Sequence, residues 1–229
     1  MSIEAMDGSG DRSVRRGTLG SQVAYMLRQD ILFGRLKPGT RLAQEQLCKE
    51  FGTSRMPVRD ALRQLITEGL LVRDGGQHSL VAPLSREGLM DAFEVEGVLH
   101  GMAARRAVER SSADDLGQLQ SLHDEMVAAS TDTPKRTADL NWQFHRQINR
   151  LANSRKLIAA LKVVSLDIPR DYLVQMPEQI GRSNEQHAAL LEAFRRGQPD
   201  DADAIMQNHV TEAGHSLISS LERQGLVLE

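Results

Sequence analysis

The sequence predicts a mainly α chain, with a winged helix-turn-helix at its N-terminal end and an all-α antiparallel helical bundle after it, and three observations predict this. Residues 44 to 70, QEQLCKEFGTSRMPVRDALRQLITEGL, read as two short helices joined by a tight turn. Residues 70 to 81 hold two short apolar runs around a glycine turn. From residue 85 onward strand alternation is absent and apolar residues recur at helical spacing.

A chain of 229 residues with 40% hydrophobic content can bury a sizeable core, and its length fits two units. The patterns divide it into an arm over 1–17, a small module over 18–82 and a helical domain over 83–229. No apolar run approaches a membrane span, and the start MSIEAMDGSGDRSVRRG lacks the apolar stretch of a secretion signal, so a soluble, cytoplasmic chain is expected. The single cysteine, Cys48, excludes an internal disulfide framework and a Cys-rich zinc site. Net charge is −3, but residues 1–82 hold 12 Lys+Arg against 9 Asp+Glu, while residues 83–229 hold 16 against 22. The N-terminal part is thus the basic one, as phosphate binding requires.

In chain order, residues 1–17 contain too little apolar surface to pack and read as a disordered arm, with Arg12, Arg15 and Arg16 within it. Val23, Met26, Leu27 and Ile31 make one face of a helix over 19–33, closed by Gly34 and a turn at Leu36-Lys37-Pro38-Gly39-Thr40. The next helix carries Leu47, Cys48 and Phe51 on its inner side and stops at Gly52, which can take the left-handed conformation of a sharp turn. Ser54 is placed to cap the following helix, Pro57 falls in its first turn and Gly69 stops it.

Val58, Ala61, Leu62, Leu65, Ile66 and Leu70 form the apolar stripe of that helix, with Arg55, Arg59, Arg63 and Gln64 largely off it. Arg55 and Arg59 stand at the helix end that such motifs insert into the major groove, where guanidinium groups pair with guanine O6 and N7 or with phosphates. The alternative is a pair of solvated arginines on an ordinary amphipathic helix. Beyond it, Leu70-Leu71-Val72 and Ser79-Leu80-Val81 form a hairpin whose tip is either a plain turn or a wing laid along a DNA backbone. The candidate DNA-binding residues are Ser54, Arg55, Met56, Pro57, Arg59, Arg63, Gly75, Gly76, Gln77 and His78.

Helical patterns then run over 85–110, 113–130, 136–151, 154–175, 178–197 and 200–223, with breaks at Pro134, Pro177 and Gly197-Gln198-Pro199. Six helices with short loops make an antiparallel bundle. Asn141 and His145 lie four apart on a helix that also carries Trp142 and Phe144, so they share a face; His187 and His209 lie on two later helices. Such a set either converges on one metal, leaving positions for water or a ligand, or consists of scattered core and surface residues. His215 falls off the face of His209 and His123 stands isolated, so neither is expected to be a ligand.

Helix, Pro-Gly turn, helix-turn-helix and hairpin in this order, with LKPGTRLAQEQLCKEFGTSRMPVRDALRQLITEGLLV, resemble the DNA-binding domain of the GntR family of bacterial transcription regulators from about Ser21 to Ala82. Glu45 departs from that pattern, since members often carry a basic, phosphate-contacting residue there. Asn141-Trp142-Gln143-Phe144-His145, the segment Glu185-Gln186-His187-Ala188-Ala189-Leu190-Leu191 and His209 resemble the ligand-bearing segments of the FCD effector domain of the FadR-like branch. The resemblance implies a divalent metal, often zinc, held by an acidic residue and three histidines. Here the acidic position is Asn141, which offers an amide oxygen without charge. Where the family often has an arginine that meets an acidic effector and a glutamate one turn on, this chain has Glu96 and His100, which either pair with each other or line a pocket for a less acidic or cationic effector.

The reading is therefore a regulator and not an enzyme: a homodimer on a palindromic double-stranded operator, its affinity set by a small-molecule effector beside the metal. A metal-dependent hydrolase with an accessory DNA-binding domain is the alternative from another class, weakened because Glu185 sits two residues from His187 and points elsewhere on the helix. A third possibility is a helical domain that only dimerises.

Overall fold

A computed structural model of the chain describes residues 18–75, 78–130, 133–165, 177–225 and 228. The expected arm over 1–17 and the tip residues Gly76 and Gln77 lie outside them. The architecture is mainly helical: α1 (Leu19–Leu32), β1 (Arg41–Leu42), α2 (Gln44–Glu50), α3 (Arg55–Thr67), β2 (Leu71–Asp74) and β3 (His78–Val81) make the N-terminal module. The helices α4 (Arg86–Arg110), α5 (Ala113–Ala129), α6 (Pro134–Leu151), α7 (Arg155–Val164), α8 (Pro177–Arg196) and α9 (Pro199–Arg223) make the bundle.

In the N-terminal module α1 packs across α3, and Val23, Ala24, Leu27 and Ile31 meet Val58, Ala61 and Leu65 in one core. Gly20 makes this approach possible: a Cβ there would lie 3.1 Å from the Pro57 carbonyl oxygen. Gly52 and Gly69 have φ of 58° and 75°, the left-handed conformation that ends α2 and α3 sharply. Ser54 occupies the N-cap position of α3, but its side chain makes no capping hydrogen bond, contrary to the expectation; it is exposed, so water competes for the hydroxyl. Arg28, almost wholly buried, donates from Nε and Nη2 to the two carboxylate oxygens of Glu68 (2.9 and 2.7 Å), tying α1 to the end of α3.

The sheet has three strands in the order β1-β3-β2, all antiparallel, with Leu71 opposite Val81 and Asp74 opposite His78. The two-residue strand β1 is too short to show an alternating pattern, which is why only a hairpin was legible. Pairing also continues through Arg73 and Asp74, polar residues that suit exposed positions, so the turn is shorter than Arg73–His78.

In the bundle, α4 runs through the middle and packs against α6, α7 and α9. Gly97 and Gly101 face α9, where a Cβ on Gly97 would come within 3.1 Å of the Gln207 carbonyl oxygen, and Gly214 of α9 receives the ring of Phe93. Ser85 caps α4 by accepting from the Gly88 amide, and Ser112 and Asp115 form a capping box on α5. Pro134, Pro177 and Pro199, expected as breaks, stand at the first helical position of α6, α8 and α9, where a missing N–H leaves nothing unsatisfied. The helix expected over 154–175 stops at Val164, with Ser165 extended (ψ 123°); residues 166–176 lie outside the described set. No helix among the described residues is long and apolar enough to cross a membrane.

Candidate functional site

Among the described residues, two groups of side chains carry chemistry, one on the N-terminal module and one inside the bundle. Because α3 buries Val58, Ala61, Leu62 and Leu65, its opposite face leaves Ser54, Arg55, Met56, Arg59 and Arg63 exposed, with Pro57 half-buried. Met56 is 62% exposed, an apolar side chain among cations at a helix N-terminus. The Gln44 amide donates to the Arg55 carbonyl oxygen at 2.7 Å, and Arg55 Nη2 donates to Glu45 Oε1 at 2.8 Å. These two contacts tie the first turn of α3 to that of α2. Both charged groups are largely in solvent, so the pair contributes at most about 1 kcal/mol to stability. Its effect is on direction: the guanidinium fork is aimed by Glu45, and its charge is partly offset. On the hairpin, Gly75 is exposed with φ of 49° and His78 is half-buried at the start of β3.

Inside the bundle, His145 of α6, His187 of α8 and His209 of α9 converge, carried inward by the apolar neighbours Phe144 and Ile148, Leu190 and Leu191, and Met206 and Val210. The Nε2 atom of His145 lies 3.3 Å from that of His187 and 3.1 Å from that of His209. His209 Nδ1–H donates to the Gln186 amide oxygen at 2.8 Å, which leaves His209 Nε2 as a lone pair. Burial, then the neighbouring His209 and His100, holds His145 well below the usual histidine range; burial, then His209, His145 and His123, does the same for His187. Burial, then His100, lowers His209 to about 4. The three imidazoles are therefore neutral near pH 7, the state that binds a metal.

The residues fit a divalent cation. Nitrogens held at about 2.0–2.1 Å in a tetrahedral shell stand about 3.3–3.4 Å apart, close to the separations found here. His145 Nε2 carries one proton at most for two neighbouring nitrogens, whereas a cation meets all three lone pairs. Asn141, one turn before His145, has its amide oxygen buried with no hydrogen-bond partner among the described residues, as a fourth donor would. Asn141 and His209 also line a cavity of about 60 Å³ with Thr137, Gln179, Ser183 and Asn184.

His100 and Glu96 lie behind this cluster rather than along that cavity. The His100 ring centroid is 5.6 Å from that of His145, its Nε2 is 3.5 Å from Glu96 Oε1, and the Ser165 hydroxyl donates to the same carboxylate oxygen at 2.7 Å. His123 is not isolated: it is buried on α5 with its ring 6.3 Å from that of His187. Sequence spacing assigned no role to Gln186, although it adjoins His187; only the packing of α8 on α9 reveals that it orients His209. His215 is exposed.

A family model described as "Bacterial regulatory proteins, gntR family" matches residues 19–81, and one described as "FCD domain" matches residues 91–212. Among curated relatives, a probable D-xylose utilization operon transcriptional repressor of Paenarthrobacter nicotinovorans is 26% identical, covering 90% of this chain and 91% of its own. The galactonate operon transcriptional repressor of Escherichia coli (strain K12) is 26% identical over 83% of this chain and 91% of its own. Among solved structures, E. coli McbR/YncC matches with a TM-score of 0.65 at 24% identity, covering 92% of this chain and all of that one. A GntR family member from Pseudomonas syringae pv. tomato matches at 0.54 and 27% identity, covering 90% and 87%.

Proposed function

The chain belongs to the GntR family of bacterial regulatory proteins, in the FadR-like architecture with an FCD domain, and from that premise we propose that its hold on DNA is set by a small effector bound beside a metal ion in the bundle. That it is a DNA-binding transcription regulator and not an enzyme follows from the family and from relatives named as repressors. The hydrolase alternative loses its ground with this, and Glu185 is exposed on α8. The observation that supports a metal-dependent sensor is that His145 Nε2 stands 3.3 Å from His187 Nε2 and 3.1 Å from His209 Nε2, beside a cavity.

In this reading the division is 18–82 for DNA and 83–229 for effector and dimerisation. Ser54, Arg55, Met56, Pro57, Arg59 and Arg63 enter the major groove, and Gly75, Gly76, Gln77 and His78 meet the backbone at the wing. His145, His187 and His209, with the Asn141 oxygen, hold the metal, zinc being the ion this donor set suits. A cation held by these residues would supply Lewis acidity toward an oxygen-bearing effector. Gln186 fixes the His209 ring, and the cavity sets the uncharged polar groups of Thr137, Gln179, Ser183 and Asn184 beside the apolar Met126, Ala138, Ile180 and Ala213, a lining that suits a small uncharged molecule with both hydroxyl and hydrocarbon surface. Two relatives regulate operons named for D-xylose utilization and galactonate, both hydroxylated compounds. A cytoplasmic homodimer presents two winged modules to an inverted repeat, and effector binding shifts their placement.

The test is footprinting of the purified protein on DNA around its own gene, in a salt series, with and without zinc and a panel of sugars and sugar acids. A protected inverted repeat, released by one panel member only in zinc-loaded protein, is the expected result. Release that is identical in zinc-loaded and zinc-stripped protein would remove the metal from the mechanism.

A further inference from the structure

We propose that the outer groove between α5 and α6 is a second ligand site, distinct from the histidine cluster, and that it takes a small molecule carrying a phosphate monoester. On α6, Leu140, Phe144 and Ile148 face the core, and beside that face Gln143, Arg146, Gln147 and Arg150 follow one another at intervals of three, one and three residues, a single stripe along the helix. Gln118, Ser121 and Leu122 of α5 have the same kind of spacing and form the other wall. Together the two walls line a cavity of about 520 Å³, within the size range of small-molecule sites. The Gln147 amide donates to Gln118 Oε1 at 3.1 Å, which ties the walls together. Among the described residues, the Gln118 NH2 group is left to donate to a ligand.

The charge of this groove runs against its surroundings. Residues 83–229 hold 16 Lys+Arg against 22 Asp+Glu, yet two guanidinium groups and no carboxylate line the cavity. Elsewhere on the bundle Arg136 is paired with Glu125 (3.0 Å), and Arg195 and Arg196 with Glu192 (3.0 and 2.7 Å). Among the described residues, Arg146 and Arg150 have no carboxylate within ion-pair distance. Asp115 feels the charge of Arg150, but its Oδ2 already accepts from the amide and hydroxyl of Ser112. Arg146 is held instead over the ring of Trp142, 5.0 Å from its centroid, a contact that orients the fork without neutralising it. Arg146 and Arg150 lie one turn apart, with about 6 Å between their Cβ atoms, so both forks can close on one phosphoryl group. A phosphate monoester brings three oxygens and nearly two negative charges, which gives each fork its own acceptors, whereas a carboxylate brings two oxygens and one charge. The glutamine amides and the Ser121 hydroxyl suit hydroxyl groups on the rest of the ligand, and Leu122 its carbon skeleton.

Trp142 is the single tryptophan of the chain and is 42% exposed beneath Arg146, so its fluorescence reports on this groove. The test titrates the full-length protein, zinc-free and zinc-loaded, with glucose 6-phosphate, glucose and malonate, following that emission and the heat of binding. Glucose 6-phosphate is expected to shift the emission in both forms of the protein, and glucose to leave it unchanged. Arg150→Gln keeps the contact of Trp142 with Arg146 and is expected to raise Kd for the ester by about 10-fold or more, the loss of charge-assisted hydrogen bonds. Arg136→Gln, outside the groove, is expected to change Kd by less than about two-fold. Both positions are exposed, so the variants are expected to keep the fold. An emission that the ester does not move, or a response that Arg150→Gln leaves intact, would overturn the site. Binding confined to the zinc-loaded protein would assign the ester to the histidine cluster and overturn the groove as well. Malonate binding as tightly as glucose 6-phosphate would overturn the choice of a phosphate ester.

Discussion

The two chemical regions of this molecule are built in opposite ways. The face of α3 holds its charges in water: Arg55, Arg59 and Arg63 follow one another along a single helix, and their apolar counterparts Val58, Ala61, Leu62 and Leu65 keep them turned outward. The bundle cluster holds uncharged groups away from water: His145, His187 and His209 come from three helices, and burial keeps their rings neutral. A site for a large polyanion is a surface property, and one helix with a defined stripe suffices. A site for a cation and a small molecule must be enclosed, so it needs several segments to converge and an environment that strips the ligands of protons.

The sharpest way to break this contrast is to remove one convergent ligand. His187→Ala is expected to lower zinc affinity by more than about 100-fold, beyond the 10–100-fold typical of an outer-shell partner, with helical content retained. Competition against a chromophoric chelator measures it; unchanged affinity would show that the three nitrogens do not act together. On the exposed face, Arg59→Ala is expected to weaken operator binding by about 1–3 kcal/mol and relax base preference at one position, read by titration on the mapped operator and its single-base variants. Equal affinity for all of them in the unaltered protein would deny a base contact.

Asn141→Asp sharpens the comparison from within the cluster. It adds a full negative charge at the buried amide oxygen, and zinc affinity is expected to rise by about 10-fold, because a hard anionic oxygen is a better donor than an amide. The smallest effect is expected at Glu45→Gln, which removes the partner of Arg55 and frees its charge for phosphate. Non-specific DNA binding should tighten by a few-fold and its salt slope steepen by about one unit or less, while thermal stability stays within about 0.5 kcal/mol. A specific operator that tolerates Glu45→Gln without change would show that aiming Arg55 has no part in base choice.

Legibility followed the same contrast. The stripe of α3, the left-handed turn at Gly52, the stop at Gly69 and the start of a helical pattern at residue 85 were readable because each depends on residues within a turn or two of one another. Pro134, Pro177 and Pro199 were visible as boundaries, though their place inside the first helical turn was not. The strand β1 escaped notice, since Arg41 and Leu42 are strand only by pairing with β3. The buried pair of Arg28 and Glu68 was hidden for a related reason: nothing local says that a charged residue of α1 points inward.

The sequence by itself determined which segments are helical, which face of each is apolar and which end of the chain is basic, because these follow from periodicity and from the conformational limits of Gly and Pro. Only the tertiary structure decided that the three histidines bring their ring nitrogens together, that Gln186 orients one of them and that His100 and His123 stand beside them. It also decided that Glu45 holds Arg55. Those outcomes depend on how helices far apart in the chain cross, and the crossing is set by side-chain packing summed over the whole core, which no single segment encodes.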